Sequence, residues 1–476
     1  MAKPGSVKVV EVCRVAPKPS SQPDSAHPDD LSLPLTFFDL RWLRFPPPQI
    51  LFFYEISSFD TSYFFDSILP NLKTSLSATL QHFVPLAGNL TWPQDSSKPL
   101  LSYVLGDTLS LTVAESDADF HRLTSSNNFD IKAKEYHPLV PQLAVSHEKA
   151  AVLALQITVF PNSCFSIGSA MHHVVLDGLS AFSFFNLWGY LCKHGGGGGE
   201  GSPSSPSYDR KLIKDPAGLQ AIYLNEWLRL GGPNNRSLMP LEVKGSGDSI
   251  RGTFEFTSAK IQMLRHSVMA AMMAKEKKKQ SDHDSKQLHL STFSLTCAYT
   301  WVCLVRAEDT KTDKVLFAIN VDCRPRLDPP LPVTYFGNCV AAHRAVAETK
   351  DLLGEDGLFV ALKAISEVIK SLDKTLLDGA ETWVSRMLNT RQSSGTDRVI
   401  PISGSHRLDF YGAADFGWGR PKKYEIVSID GSGAISLQES KNGDGGVEVG
   451  LVLEKRCMEA FASLFANGLE DMRSLV

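Results

Sequence analysis

The sequence predicts a mixed α/β protein of two comparable halves, and three observations predict it. Strand-like and helix-like apolar periodicities alternate along the chain. Its 476 residues, 43% of them hydrophobic, are enough for two ordinary domains or one large two-lobed one. A glycine- and serine-rich run, GGGGGEGSPSSPS at 195–207, interrupts the pattern near the middle. The division that follows is an N-terminal half over 1–194, a flexible crossover over 195–240 and a C-terminal half over 241–476. No repeat of fixed period is present.

Taken in order, VKVVEVCRV (7–15) has strand composition, and LPLTFFDLRWL (33–43) opens an aromatic-rich segment. Leu69, Leu72, Leu76, Leu80 and Phe83 recur at steps of three and four, the spacing of one helix face, and Pro85 and Gly88 close that helix. Residues 150–176 carry no Lys, Arg, Asp or Glu and are long enough to suggest a membrane span. Pro161, Asn162 and Ser163 break the run, so two apolar strands around a turn fit better. A helix follows over 178–194, with Phe182, Phe185 and Trp188 on its buried side and Gly195 at its end. Beyond the crossover come a strand at 252–256, a helix at 258–276, a strand over LSTFSLTCAYTWVCLV (290–305), a strand at 315–324 and a helix at 358–372. The chain finishes with a hairpin over 434–454 and an amphipathic helix around 457–469.

The charge sum, 48 basic against 52 acidic residues, is −4 without charged tails, which argues against nucleic acid or an anionic membrane as partner. A small molecule is the expected partner. Eight cysteines with no CxxC pair suggest thiols in a reducing compartment, and the N-terminus shows no secretory pattern, so cytosol is expected. The glycine run lacks the Lys-Ser/Thr of a phosphate loop, and the lysines at 275–279 read as a solvated loop.

The stretch SAMHHVVLDGLS (169–180) sets His172 and His173 ahead of Asp177 and Gly178, between an apolar strand and a helix. Polar residues facing a ligand cluster at such strand ends. Strand alternation lets only one of the two histidines face a given cavity. Three readings compete: a general base near neutral pKa, a pair of metal ligands, or a structural turn with Asp177 as helix N-cap and both rings satisfied internally. The metal reading is weakened by the absence of the i, i+4 pairing of HExxH and of a third ligand.

Other stretches move the balance. VDCRPRLDPPLPVTYFGNC (321–339), SGSHRLDFYGAADFGWGRP (403–421) and STFSLTCAYTWVC (291–303), taken with HHVVLDG, resemble the plant BAHD acyl-CoA-dependent acyltransferases, whose signatures are HxxxD and DFGWG. LPLTFFDLRWL, VPLAGNL, AESDADF and YDRKLIKDP extend the resemblance over nearly the whole chain, and YFGNC resembles the subgroup that acylates anthocyanins, flavonoid glycosides and phenolic glucosides. A kinase reading of DFG fails, because only eight residues separate His406 from Ala414 and no VAIK lysine is present.

The resemblance implies two chloramphenicol-acetyltransferase-like domains with mixed sheets flanked by helices and a solvent channel between them. It implies transfer of malonyl from malonyl-CoA, used as co-substrate with no bound cofactor or metal, to the 6-hydroxyl of the glucose in a flavonoid, anthocyanin or other phenolic glucoside. Hydroxycinnamoyl transfer to anthocyanin glucosides and a non-catalytic ligand-binding protein of the same fold are the alternatives, and a monomer is the family expectation. Residue by residue, His173 takes the base position, and Asp177 the second signature position, paired structurally with Arg324. Asp415 acts in catalysis or holds its loop, with Gly417, Trp418 and Gly419 shaping the channel and CoA site from a short distance. Ser291 and Thr292 fall on a segment near bound CoA, or cap a strand. A malonyl carboxylate would want an arginine fork.

Overall fold

The computed structural model describes residues 5–19, 30–57, 59–125, 129–161, 163–196, 199, 201–242, 248–278, 288–392 and 397–473. The side chains of the lysine-rich stretch 275–279, Asn162 and residues 197, 198 and 200 of the glycine run lie outside the described residues.

Two six-stranded mixed sheets carry the architecture. The first runs in the order β1 (Val7–Val15), β6 (Leu109–Ser116), β8 (Leu153–Phe160), β9 (Cys164–Met171), β3 (Gln49–Tyr54) and β14 (Lys423–Ile426). The second runs β10 (Ile250–Phe256), β16 (Val447–Leu453), β15 (Ile435–Glu439), β13 (Arg398–Ser403), β11 (Lys314–Asp322) and β12 (Val340–Glu348). A smaller four-stranded sheet joins β2 (Asp30–Pro34), β5 (Leu100–Val104), β4 (Asn89–Thr91) and β7 (Lys149–Ala151).

The charge-free run is a hairpin: β8 and β9 pair antiparallel from Phe160↔Cys164 to Leu153↔Met171, and every residue of both strands is buried. Leu155 and Ile157 join one core cluster and Phe160 and Cys164 another, so these strands are packed on both faces and are apolar throughout instead of alternating. The helix Leu69–His82 buries Leu69, Leu72, Leu76 and Leu80, the stripe its spacing predicts, with Phe83 at its C-cap. It packs on the helix Gly178–Lys193, where the Trp188 Nε1 donates to the Leu72 carbonyl at 3.3 Å.

Three differences from expectation have physical reasons. Residues 292–307 form a helix, not a strand, capped by Ser291. Every residue from Ser294 to Val305 is buried, so apolar positions lie all round the helix and no period separates it from a core strand. Within the expected crossover, Leu219–Arg229 is a helix burying Leu219, Tyr223 and Trp227 at four-residue spacing, with Trp227 Nε1 donating to the Leu40 carbonyl at 2.7 Å. β14, from the C-terminal part of the sequence, completes the first sheet by pairing antiparallel with β3.

Candidate active site

The histidine turn leaves the first sheet at the end of β9 and meets the 323–339 connection between β11 and β12 of the second. The strand stops at Met171, residues 173–175 turn, and Asp177 caps the helix that starts at Gly178 by accepting from Ser180 N at 3.0 Å. His172 and His173 part company here. His172 is buried, its Nδ1 accepts from Val174 N at 3.3 Å, and burial beside His173 pulls its pKa down to about 3. His173 is half-buried, with its ring parallel to Trp42 at 3.9 Å and 1° and edge-on to Phe45 at 5.5 Å.

Burial pulls the His173 pKa to about 4, opposed in part by its own backbone carbonyl, Asp177 and Asn338, and reinforced by the cationic Arg41. The imidazole is therefore neutral at physiological pH and carries a free lone pair. Its Nδ1 is buried, with no hydrogen-bond partner among the described residues.

Asp177 is 4% exposed, and its carboxylate is held from the opposite half of the chain. Arg324 forks onto it, Nη1 to Oδ2 at 2.8 Å and Nη2 to Oδ1 at 3.1 Å, and Cys339 N donates to Oδ2 at 3.0 Å. Arg324 also donates to the carbonyls of Tyr335 and Gly337 and to Asp322. Burial alone would raise the Asp177 pKa, but Arg324 and two backbone amides outweigh it, so the carboxyl stays ionised. A second clamp was not foreseen. Asn338 Nδ2 donates to the His173 carbonyl at 2.9 Å, and Asp39 Oδ1 accepts from Asn338 N at 2.9 Å. Asp39 is in turn 3.6 Å from the buried Arg210. Arg41 lies over the Trp42 ring at 4.3 Å, donates to the Val340 carbonyl at 3.2 Å, and pairs with no carboxylate among the described residues.

Asp415 lies elsewhere. Its carboxylate bonds Lys193 Nζ at 2.8 Å and the amides of Gly417 and Gly419 at 3.0 Å each, both glycines having positive φ. Lys193 ends the helix that Asp177 begins, and 15 rises of ~1.5 Å separate Gly178 from Lys193, roughly 22 Å. Gly189 lets the Ala413 carbonyl close onto the same end of that helix. Trp418 packs edge-on to Phe165 at 5.8 Å, near the start of β9, six strand steps or roughly 20 Å before Met171. The structure thus does not bring Asp415, Gly417, Trp418 or Gly419 to His173, because the helix Gly178–Lys193 lies between them. Ser291 Oγ is engaged by Ser294, accepting from its N at 3.2 Å, and Thr292 opens the helix.

Two surface concavities, one lined by Phe129, Arg251 and Lys423 and the other by Glu226, Arg229 and Ser385, include none of the turn residues. Among the described residues no group of three His, Cys, Asp or Glu side chains is placed to hold a metal ion, and no helix is long and apolar enough to cross a membrane.

Trp42 and Asp39, Arg210, and Asn338 lie in LPLTFFDLRWL, YDRKLIKDP and YFGNC respectively. Trp42 and Asn338 reach the turn across more than 100 residues of chain, and Asp39 and Arg210 reach it only through Asn338, so spacing held no signal for them.

The chain resembles known proteins over nearly its whole length. A family model described as the Transferase family matches residues 16–467. Phenolic glucoside malonyltransferase 1 of Arabidopsis thaliana is 39% identical over 98% of this chain and 98% of its own length. Malonyl-CoA:anthocyanidin 5-O-glucoside-6''-O-malonyltransferase of the same plant is 39% identical over 98% and 99%. The crystal structure of vinorine synthase superimposes with a TM-score of 0.66 at 22% identity, covering 96% of both chains, a likeness of fold.

Proposed function

Because this chain belongs to the Transferase family of BAHD acyl-CoA-dependent acyltransferases, we propose that it moves malonyl from malonyl-CoA to a glucose hydroxyl, the 6-hydroxyl, of a phenolic, flavonoid or anthocyanin glucoside. It is an acyltransferase. The observation that carries the mechanism is a neutral, half-buried imidazole whose backbone and following helix are fixed from the opposite half of the chain.

In this reading the halves 1–194 and 241–476 flank a channel that admits the thioester from one side and the glucoside from the other, and residues 195–240 cross between them. His173 accepts the proton of the glucose O–H as that oxygen attacks the thioester carbonyl. The tetrahedral adduct collapses, the C–S bond breaks, and the imidazolium returns the proton to the departing CoA sulfur. Both substrates react in one ternary complex, which supplies proximity without an acyl-enzyme. Asp177 and Arg324 act as positioning residues. Asp415, with Gly417, Trp418 and Gly419, holds a loop behind the far end of the helix. Ser291 and Thr292 are offered as the CoA-side helix start. Arg41, buried beside Trp42 and without a carboxylate partner among the described residues, suits the free carboxylate of a malonyl group. No bound cofactor is called on, the protein works as a cytosolic monomer, and neither nucleic acid nor membrane is a partner.

Purified protein tested against malonyl-, acetyl- and coumaroyl-CoA with a panel of glucosides decides the matter. Malonyl ester on the glucose, formed about 10²–10⁴-fold more slowly by His173→Ala, is the expected result. Preference for coumaroyl-CoA would make it a hydroxycinnamoyl transferase, and no product with any thioester would overturn the assignment.

A further inference from the structure

The base alone leaves the negative charge on the thioester oxygen unattended. A tetrahedral adduct needs a hydrogen-bond donor aimed at that oxygen, and neither histidine can supply one while His173 is accepting a proton. Trp42 is 6% exposed, and its indole Nε1–H is buried with no acceptor among the described residues. A native buried donor without a partner calls for an explanation. Trp92, Trp301 and Trp383 also carry unpartnered Nε1 groups. Trp92 sits under Arg236, Trp383 under Arg41 and Trp301 on Phe317. Trp42 is the one stacked on a titratable ring at the site, at 3.9 Å with the planes 1° apart.

We propose that Trp42 is a further catalytic residue of the transfer reaction, its Nε1–H donating to the oxyanion that forms on the thioester carbonyl while its ring face fixes the His173 imidazole. The inference rests on the reading of His173 as base. The parallel stack sets the imidazole and the indole face to face, with ring centroids 3.9 Å apart, so that both rings border the same reacting centre. The thioester carbonyl oxygen then satisfies the buried N–H, and it does so most strongly once it carries charge, which lowers the barrier more than it tightens substrate binding.

The test separates the N–H from the stack. Replacing Trp42 by β-(3-benzothienyl)alanine keeps the bicyclic shape and removes only the donor, and Trp42→Phe does the same with a smaller ring. The expected result for the isostere is a kcat about 10²–10³-fold lower, the size of losing one oxyanion donor, with KM for both substrates within about threefold and the acid limb of the kcat/KM profile unmoved. A kcat within about threefold of the unsubstituted enzyme overturns the donor role. A loss accompanied by a displaced acid limb overturns it too, because the ring would then act only through the placement of His173. If Trp42→Phe fails to fold, the isostere alone decides. An unsubstituted protein inactive with every thioester would overturn the base reading as well, whereas an active one with an active isostere removes only the donor.

Discussion

His173 is set apart from His172 by one residue of chain and by a large difference in surroundings. His172 turns inward, hydrogen-bonds its own turn and is 4% exposed, while His173 leans on Trp42 with one face and keeps partial access to solvent. The depressed pKa has a kinetic consequence whose sign is fixed. An imidazole that accepts a proton works only while neutral, so activity falls as pH drops through its pKa in the free enzyme. With that pKa at about 4, the acid limb of kcat/KM is expected near pH 4 and not near 6.5. A pH profile measured with stable buffers checks this, and a limb at 6.5 would mean that the ring is solvated in the working enzyme. His173→Ala should lower kcat by about 10²–10⁴, the worth of a positioned base, while leaving the melting temperature nearly unchanged. Arg41 gives a second residue-scale prediction. If it meets the malonyl carboxylate, Arg41→Gln should raise KM for malonyl-CoA by at least about tenfold and leave KM for acetyl-CoA within about twofold, since a charged hydrogen bond is worth about 1.5–3 kcal/mol. Equal effects on both donors would assign Arg41 to structure alone.

The elements around the turn show why two buried charges persist there. Asp177 sits at a helix N-terminus, where the backbone amides and dipole favour an anion, and Arg324 supplies a planar fork matched to it. Removing one member of such a pair leaves the other uncompensated, so Arg324→Met should destabilise the fold by about 3–5 kcal/mol in a denaturant titration, and a change below about 1 kcal/mol would show that the pair is not a latch. Much of this was legible in the sequence. The amphipathic helix Leu69–His82, the β8–β9 hairpin, the helix after the histidines and the Asp177–Arg324 pairing were anticipated, each from local periodicity, turn chemistry or motif resemblance. The helix Thr292–Ala307 was not, because burial on all sides erases the polar face that marks a helical period. Nor was the Asn338 clamp, because a carboxamide meeting a carbonyl 165 residues away leaves no trace in either neighbourhood. The Asp415 loop and the turn lie at opposite ends of the helix Gly178–Lys193, roughly 22 Å long, and no local pattern in the sequence records that separation.

At the scale of the whole molecule, the two sheets are bound by more than the histidine turn. Arg251 leaves β10 of the second sheet and donates to Glu425 in β14 of the first at 2.7 Å, and to the carbonyls of Ile426 and Val427 at 3.1 and 2.8 Å. Asp430 accepts from the same guanidinium, and Lys423 completes the group by bonding Glu425 at 3.1 Å and the Tyr136 hydroxyl at 2.9 Å. Because β14 comes from the C-terminal part of the chain yet completes the first sheet, neither half can unfold without stripping a strand or an ion pair from the other. Unfolding is therefore expected as one calorimetric transition. Arg251→Met leaves Glu425 with Lys423 as remaining counter-charge, so the cost falls at the lower end of the range for a broken buried pair, about 3 kcal/mol. An unfolding entropy of roughly 2.1 cal/mol/K per residue gives about 1 kcal/mol/K for 476 residues, and the melting temperature should then drop by about 3 °C. Calorimetry of the substituted protein distinguishes the alternatives: one transition displaced by that amount fits a buried bridge between cooperative halves, whereas an unmoved midpoint, or two transitions in the unsubstituted protein, would mean that the halves fold independently and meet only at the active site.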